Sequence, residues 1–264
     1  MDADRLAVAT RLQSVVEQAP GRLGVAVTTG GGWSWSSDAH RVVPSASTIK
    51  VPILLAALKQ VEEGRLALAT SVALPSERVG GSGPLSLLPS VTGLPLGELL
   101  TLMISLSDND ATNVVIDLLG EDPLTELLAS VPTASTRLQR RMMDVAAAQR
   151  GLQNETCAAD LVALLVALRQ GRLLGPSTTL AALDILRTQQ FREGLPAYLT
   201  EDISVASKTG EIVGVRGDVA LFERQDRWVV AAALATDLAR DGVDRGTSVL
   251  PTFATIGEIV AGLL

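Results

Sequence analysis

The sequence predicts an α+β fold: an antiparallel sheet flanked by N- and C-terminal helices, plus an all-helical lobe, with a cleft between them. Three observations lead there. Alternating apolar runs cluster at the two ends of the chain, at 22–44 and 203–236. Everything between 46 and 202 has helical spacing or loop composition. Strands and helices come in separate runs, which indicates α+β rather than repeating βαβ units. The expected division is 1–45 with 203–264 as a discontinuous sheet lobe, and 46–202 as the helical lobe.

Apolar residues at helical spacing over 3–19 predict a first helix. GRLGVAVTT, a glycine turn and WSWSS follow, two alternating runs that read as a hairpin. RVVP at 41–44 is a candidate third strand, stopped by its proline. PSASTIKVPILLAALKQVEEG is apolar on every side from Val51 to Leu58, the pattern of a central core helix. Pro52 is tolerated only in a first turn, which places the helix start near Ser47, and Gly64 ends it.

Residues 74–98 are rich in Pro, Gly and Ser and read as loop with a short helical turn. Residues 96–120 read as two helices broken at Ser107-Asp108-Asn109. DPLTELLASV, AADLVALLVALRQG and STTLAALDILRTQQ predict three further helices. Strands return at 203–210, 215–223 and 228–236, and a helix over roughly 247–263 closes the chain.

Of the 264 residues, 47% are hydrophobic and 19% charged, so a substantial core is available and the composition carries no signature of disorder. A net charge of −7 disfavours nucleic acid and anionic membrane as partners. One cysteine, Cys157, rules out an intrachain disulfide, and with one histidine, His40, it makes a zinc site an unsuitable expectation. No metal or other cofactor is expected. Cys157 reads as a small buried hydrophobe and His40 as an exposed or satisfied histidine rather than a base. Trp33 and Trp35 read as packing residues of the hairpin. The N-terminus, MDADRLAVATRLQ, has no basic segment followed by an apolar one, and no apolar run approaches the ~20 residues that span a bilayer. As written, the chain is expected to be a cytoplasmic monomer; a trimmed, exported protein would read the same.

Lysine is scarce: three among 22 basic residues. Lys50 heads the apolar segment, three residues after Ser47, a spacing that puts both side chains on one helix face. Partial burial lowers an ammonium's pKa, and a lysine so tuned can take a proton from serine and make it a nucleophile. By itself the pair reads more simply as a serine helix cap beside a snorkelling lysine.

Two further motifs change the balance. Ser107-Asp108-Asn109 lies at the helix break, and Lys208-Thr209-Gly210 ends the first returning strand. Two of three lysines and one of three asparagines fall in these short motifs. The set S-x-x-K, S-D-N and K-T-G in this order resembles that of the class A β-lactamase-like serine hydrolases, a superfamily shared with penicillin-binding proteins. The resemblance runs along nearly the whole chain.

The resemblance implies that Ser47 is the acylated nucleophile, Lys50 its general base or relay, and Ser107 the donor to the leaving nitrogen. It implies substrate contacts for Asn109, Lys208, Thr209, Gly210, Glu211 and Arg216, and an oxyanion hole from the Ser47 and Glu211 amides. Asp108 reads as structural. The implied substrate is a small β-lactam or a related amide. Class A members carry a glutamate that activates the deacylating water; along TRLQRRMMDVAAAQRGLQNET, Met142 falls at that position. Asp144 and Glu155 are the nearby carboxylates that could assist. The altered loop keeps two alternatives open: a hydrolase or acyltransferase for a non-lactam amide, peptide or ester, and a slowly deacylating penicillin-binding protein.

Overall fold

The computed structural model describes residues 3–238 and 246–264; residues 1–2 and 239–245 lie outside it. Helix α1 (Ala3–Glu17) leads into β1 (Arg22–Thr29) and β2 (Ser34–Ser37). The last three strands are β7 (Ser204–Ile212), β8 (Val215–Arg224) and β9 (Arg227–Thr236), and α9 (Leu250–Ala261) follows. These five strands form one antiparallel sheet in the order β2-β1-β9-β8-β7. The chain ends therefore meet in the middle of the sheet, where β1 pairs with β9 along its whole length.

Alternation decides what covers each face. Val25, Val27, Ala220, Phe222, Val229 and Ala231 point to one side and pack with Leu12 of α1 and with Phe253 and Ile256 of α9. Ala26, Val219, Leu221, Val230 and Ala232 point to the other side and share one core with the helices of the chain's middle. There α7 (Ala158–Arg169) lies on the sheet. Both faces are buried, which is why β8 and β9 read as nearly continuous apolar runs.

The middle helices are α2 (Lys50–Glu62), α3 (Leu96–Ser105), α4 (Asn109–Leu119), α5 (Asp122–Ala129), α6 (Val145–Gln149), α7 and α8 (Pro176–Arg187). Every residue from Lys50 to Leu58 is buried, and α3, α4, α5 and α8 surround α2. An apolar stretch without a polar side is thus the central helix of this half. No helix among the described residues is long and apolar enough to cross a membrane.

Four local details differ from the sequence reading. The α-helix starts at Lys50, because a 3-10 turn, Ala46–Ile49, precedes it and carries Ser47. β3 (Val43–Pro44) is a strand, but its partner is β6 (Glu155–Thr156) rather than the main sheet. The loop before α3 contains a small hairpin, β4 (Ser71–Ala73) with β5 (Gly93–Pro95). The short α6 was not expected. Each depends on a remote pairing or on a single helical turn, and neither leaves a local periodicity.

Candidate active site

At the head of α2 the structure decides between the two readings of Ser47 and Lys50. Neither the 3-10 turn nor α2 has a side-chain cap hydrogen bond, so Ser47 caps nothing. Lys50 does not snorkel: it is 0% exposed. Its Nζ donates to Ser107 O at 2.7 Å, Ser107 Oγ at 3.1 Å and Asn109 Oδ1 at 2.9 Å. Burial first, then the charge of Lys208, push its pKa well below the ordinary lysine value, with Asp108 opposing.

The break between α3 and α4 supplies those acceptors. Ser107 sits there at φ +54°, a conformation uncommon for a residue with a Cβ, and 6% exposed. Asp108 caps α4 through Oδ1, which accepts from Ala111 N, while Oδ2 accepts from Leu85 N. Asn109 Nδ2 donates to Gly80 O, which fixes the amide so that its oxygen faces Lys50.

The third side is the end of β7. It runs beside the 3-10 turn, and a Cβ at Gly210 would stand 2.8 Å from Ser47 N. Glycine there lets the strand approach the serine's backbone. Lys208 is fully buried and donates to Thr209 O. Burial pulls its pKa down to about 7; Asp218 opposes that shift and Arg216 adds to it. Asp218 is pushed up to about 7, chiefly by burial, against the Leu195 amide and the charges of Arg216 and Lys208.

A cavity of about 560 Å³ opens between these walls. Ser47, Ser107, Asn109, Thr209, Gly210, Glu211 and Arg216 line it, with Lys50 and Lys208 buried behind the lining. The loop 136–155 forms the remaining wall. Met142 lines the cavity and is 8% exposed. Asp144 also lines it, and its Oδ1 caps α6 by accepting from Ala147 N. Glu155 is not among the lining residues; it lies in β6, paired with Pro44 and bridged to Arg137. His40 is exposed, and Cys157 is buried, which raises its thiol pKa.

Sequence reasoning missed the residues that hold this loop. Asn113, one turn after Asn109 on α4, accepts from Met142 N at 2.7 Å and donates to Met142 O at 3.1 Å. Asn154 Oδ1 accepts from Gln139 N and Arg140 N, and its Nδ2 donates to Arg140 O. Asp160 takes the amides of Ala134, Ser135 and Thr136. All three asparagines of the chain therefore serve this site. Their scarcity was the one available signal.

This sheet, its covering helices and an S-x-x-K serine at the head of the central helix define the class A β-lactamase-like serine hydrolases. The chain belongs to the Beta-lactamase enzyme family, whose model matches residues 7–263. A β-lactamase of Rhodobacter capsulatus is 30% identical over 175 residues, which are 64% of this chain and 59% of that protein. The match to that relative therefore spans little more than half its length. Among solved structures, a β-lactamase of Sphaerobacter thermophilus superposes with a TM-score of 0.86 at 28% identity, covering 97% of each chain. PBP-A superposes with a TM-score of 0.84 at 28% identity, covering 97% of this chain and 96% of that one.

Proposed function

We propose that the protein is a serine acyl hydrolase that opens a β-lactam, or a related small cyclic amide, through an acyl-enzyme on Ser47. One observation carries the reading: a fully buried lysine, one turn from an uncapped serine, with Nζ held by the Ser107 hydroxyl and the Asn109 amide. A structural helix start needs none of this.

In the reaction, Lys50 in its amine form takes the Ser47 proton while Oγ attacks the substrate carbonyl. The Ser47 and Glu211 amides receive the oxyanion. When the tetrahedral intermediate collapses, the C–N bond breaks and the nitrogen takes a proton through Ser107, which Lys50 replenishes. An ester on Ser47 remains. Thr209 and Arg216 meet the substrate's anionic end, and Lys208, buried behind the lining, supplies positive potential there. Water then attacks the ester, releasing the acid and restoring Ser47.

The two steps are not equally equipped. Acylation has its base, relay and donors. For deacylation the loop offers the thioether of Met142 where a carboxylate would activate water, and Asp144 is the carboxylate that this loop contributes to the cavity lining, partly engaged as a helix cap. We expect acylation to outrun deacylation, so that the acyl-enzyme accumulates. Intact-mass time courses with a penicillin and a chromogenic cephalosporin test this, beside Ser47→Ala. An adduct that forms within seconds and decays over minutes is the expected result. The absence of an adduct on the parent protein would refute the reading.

A further inference from the structure

The guanidinium that faces the substrate's anionic end is already occupied. Arg216 Nη2 donates to Glu193 Oε1 at 2.6 Å, and Nη1 donates to Glu211 Oε2. Arg216 is 4% exposed, while the Glu193 and Glu211 side chains are 45% and 46% exposed. The arginine is buried, whereas the Glu193 carboxylate is half-exposed and has solvent to swing into. All three residues line the cavity.

Glu193 is brought there by a pinned segment between α8 and β7. On one side, Gln190 N donates to Ser105 O at the end of α3, and Gln189 Nε2 donates to Ile104 O. On the other, Leu195 N donates to the buried Oδ2 of Asp218 at 2.9 Å. Gly194 lies so close that a Cβ would stand 2.4 Å from that oxygen. Glu193 is thus one residue from a contact that only glycine permits and two from a buried anchor. Its approach to Arg216 is built into the backbone path.

We propose that Glu193 is a specificity-determining residue: its carboxylate occupies Arg216 in the free protein, a substrate carboxylate must displace it, and acyl donors that are neutral at that end are favoured in proportion. The proposal rests on the reading of this cleft as an acyl-transfer site. With Nη1 on Glu211 and Nη2 on Glu193, a substrate carboxylate reaches Nη2 only by displacing Glu193, so the bias equals the strength of that half-exposed, charge-assisted pair.

The test compares the parent with Glu193→Gln and Glu193→Ala, using benzylpenicillin and its methyl ester. The readout is the ratio of the two second-order rate constants for adduct formation on Ser47. The ratio is expected to rise about three- to tenfold in both variants, the range of a partly exposed ion pair. An unchanged or lower ratio overturns the proposal, since Glu193 would then be idle or would be orienting Arg216 productively. A second measurement needs no acylation. Calorimetry with phenylacetate should show a gain in affinity of similar size in Glu193→Gln, and equal affinity, or no binding to any of the three proteins, counts against Glu193. Failure of the parent to form any adduct sinks the acyl-transfer reading alone, and the phenylacetate comparison still decides Glu193.

Discussion

The two long walls of the cleft are built differently. The wall of α2, α4 and β7 holds functional side chains in fixed places: Lys50 and Lys208 are 0% exposed and Ser107 is 6% exposed. The wall of 136–155 is a loop whose backbone is held by Asn113 and Asp160 from outside and by Asn154 from its own far end. The Met142 side chain takes no part in these bonds, which use its backbone amide and carbonyl. In the proposed reaction, chemistry is coupled to fold on the first wall and separable from it at Met142 on the second.

Substitutions on the first wall should have the largest effects. Ser47→Ala is expected to give no adduct by mass. Lys50→Met is expected to slow acylation at least about a thousandfold, the scale of losing a positioned base, and an acylation rate equal to the parent's would break the comparison at its strongest point. On the second wall, Met142→Glu adds a carboxylate beside the ester without touching the loop's backbone bonds. It should speed adduct decay about ten- to a hundredfold, with acylation less altered. If decay is unchanged, the loop side chain and the chemistry are not separable in this protein.

Asn113→Ala should act through structure, leaving the Met142 amide and carbonyl without their partner, at about 1–3 kcal/mol. The same loss should appear in chemical denaturation and as faster proteolysis within 136–155. A loss of stability with no change in that segment would mean that Asn113 does not hold the loop.

The pH dependence sharpens the contrast further. Lys208 has a folded value of about 7 against an ordinary 10.5. Between these the unfolded chain holds a proton that the folded chain lacks, so this contribution raises stability as pH climbs from about 7 to 10.5, by up to about 1.4 kcal/mol per unit. Lys50 acts in the same sense. Asp218 works in a separate window: its folded value of about 7 against 3.8 lowers stability as pH climbs from about 4 to 7. Lys208→Met should flatten the alkaline rise without abolishing it, as read from denaturation midpoints at pH 7.5 and 9.5. An unchanged slope would show that Lys208 is not the buried cation responsible.

Much of this was legible in the chain. The apolar run of α2, the strand pairs at both ends and the three short motifs announced the architecture and the residues that the cleft brings together, because each rests on a local pattern or on residues too scarce to coincide by accident. Asp108 was legible as a structural residue because a carboxylate at a helix break has an obvious use. Glu155 shows the limit. Its nearness in sequence to the altered position suggested a catalytic substitute, whereas pairing with Pro44 draws it into β6 and out of the cavity lining.

By itself, then, the sequence determined the fold class, the central helix and the serine–lysine pair, since periodicity and motif spacing are written along the chain. Only the tertiary structure decided that Ser47 caps nothing, that asparagines from α4 and from the loop's own far end hold its backbone, and that Arg216 meets Glu193 and Glu211. Those facts depend on which remote backbone groups and charges come within about 3 Å, a distance set by how helices and strands pack rather than by any interval in the sequence.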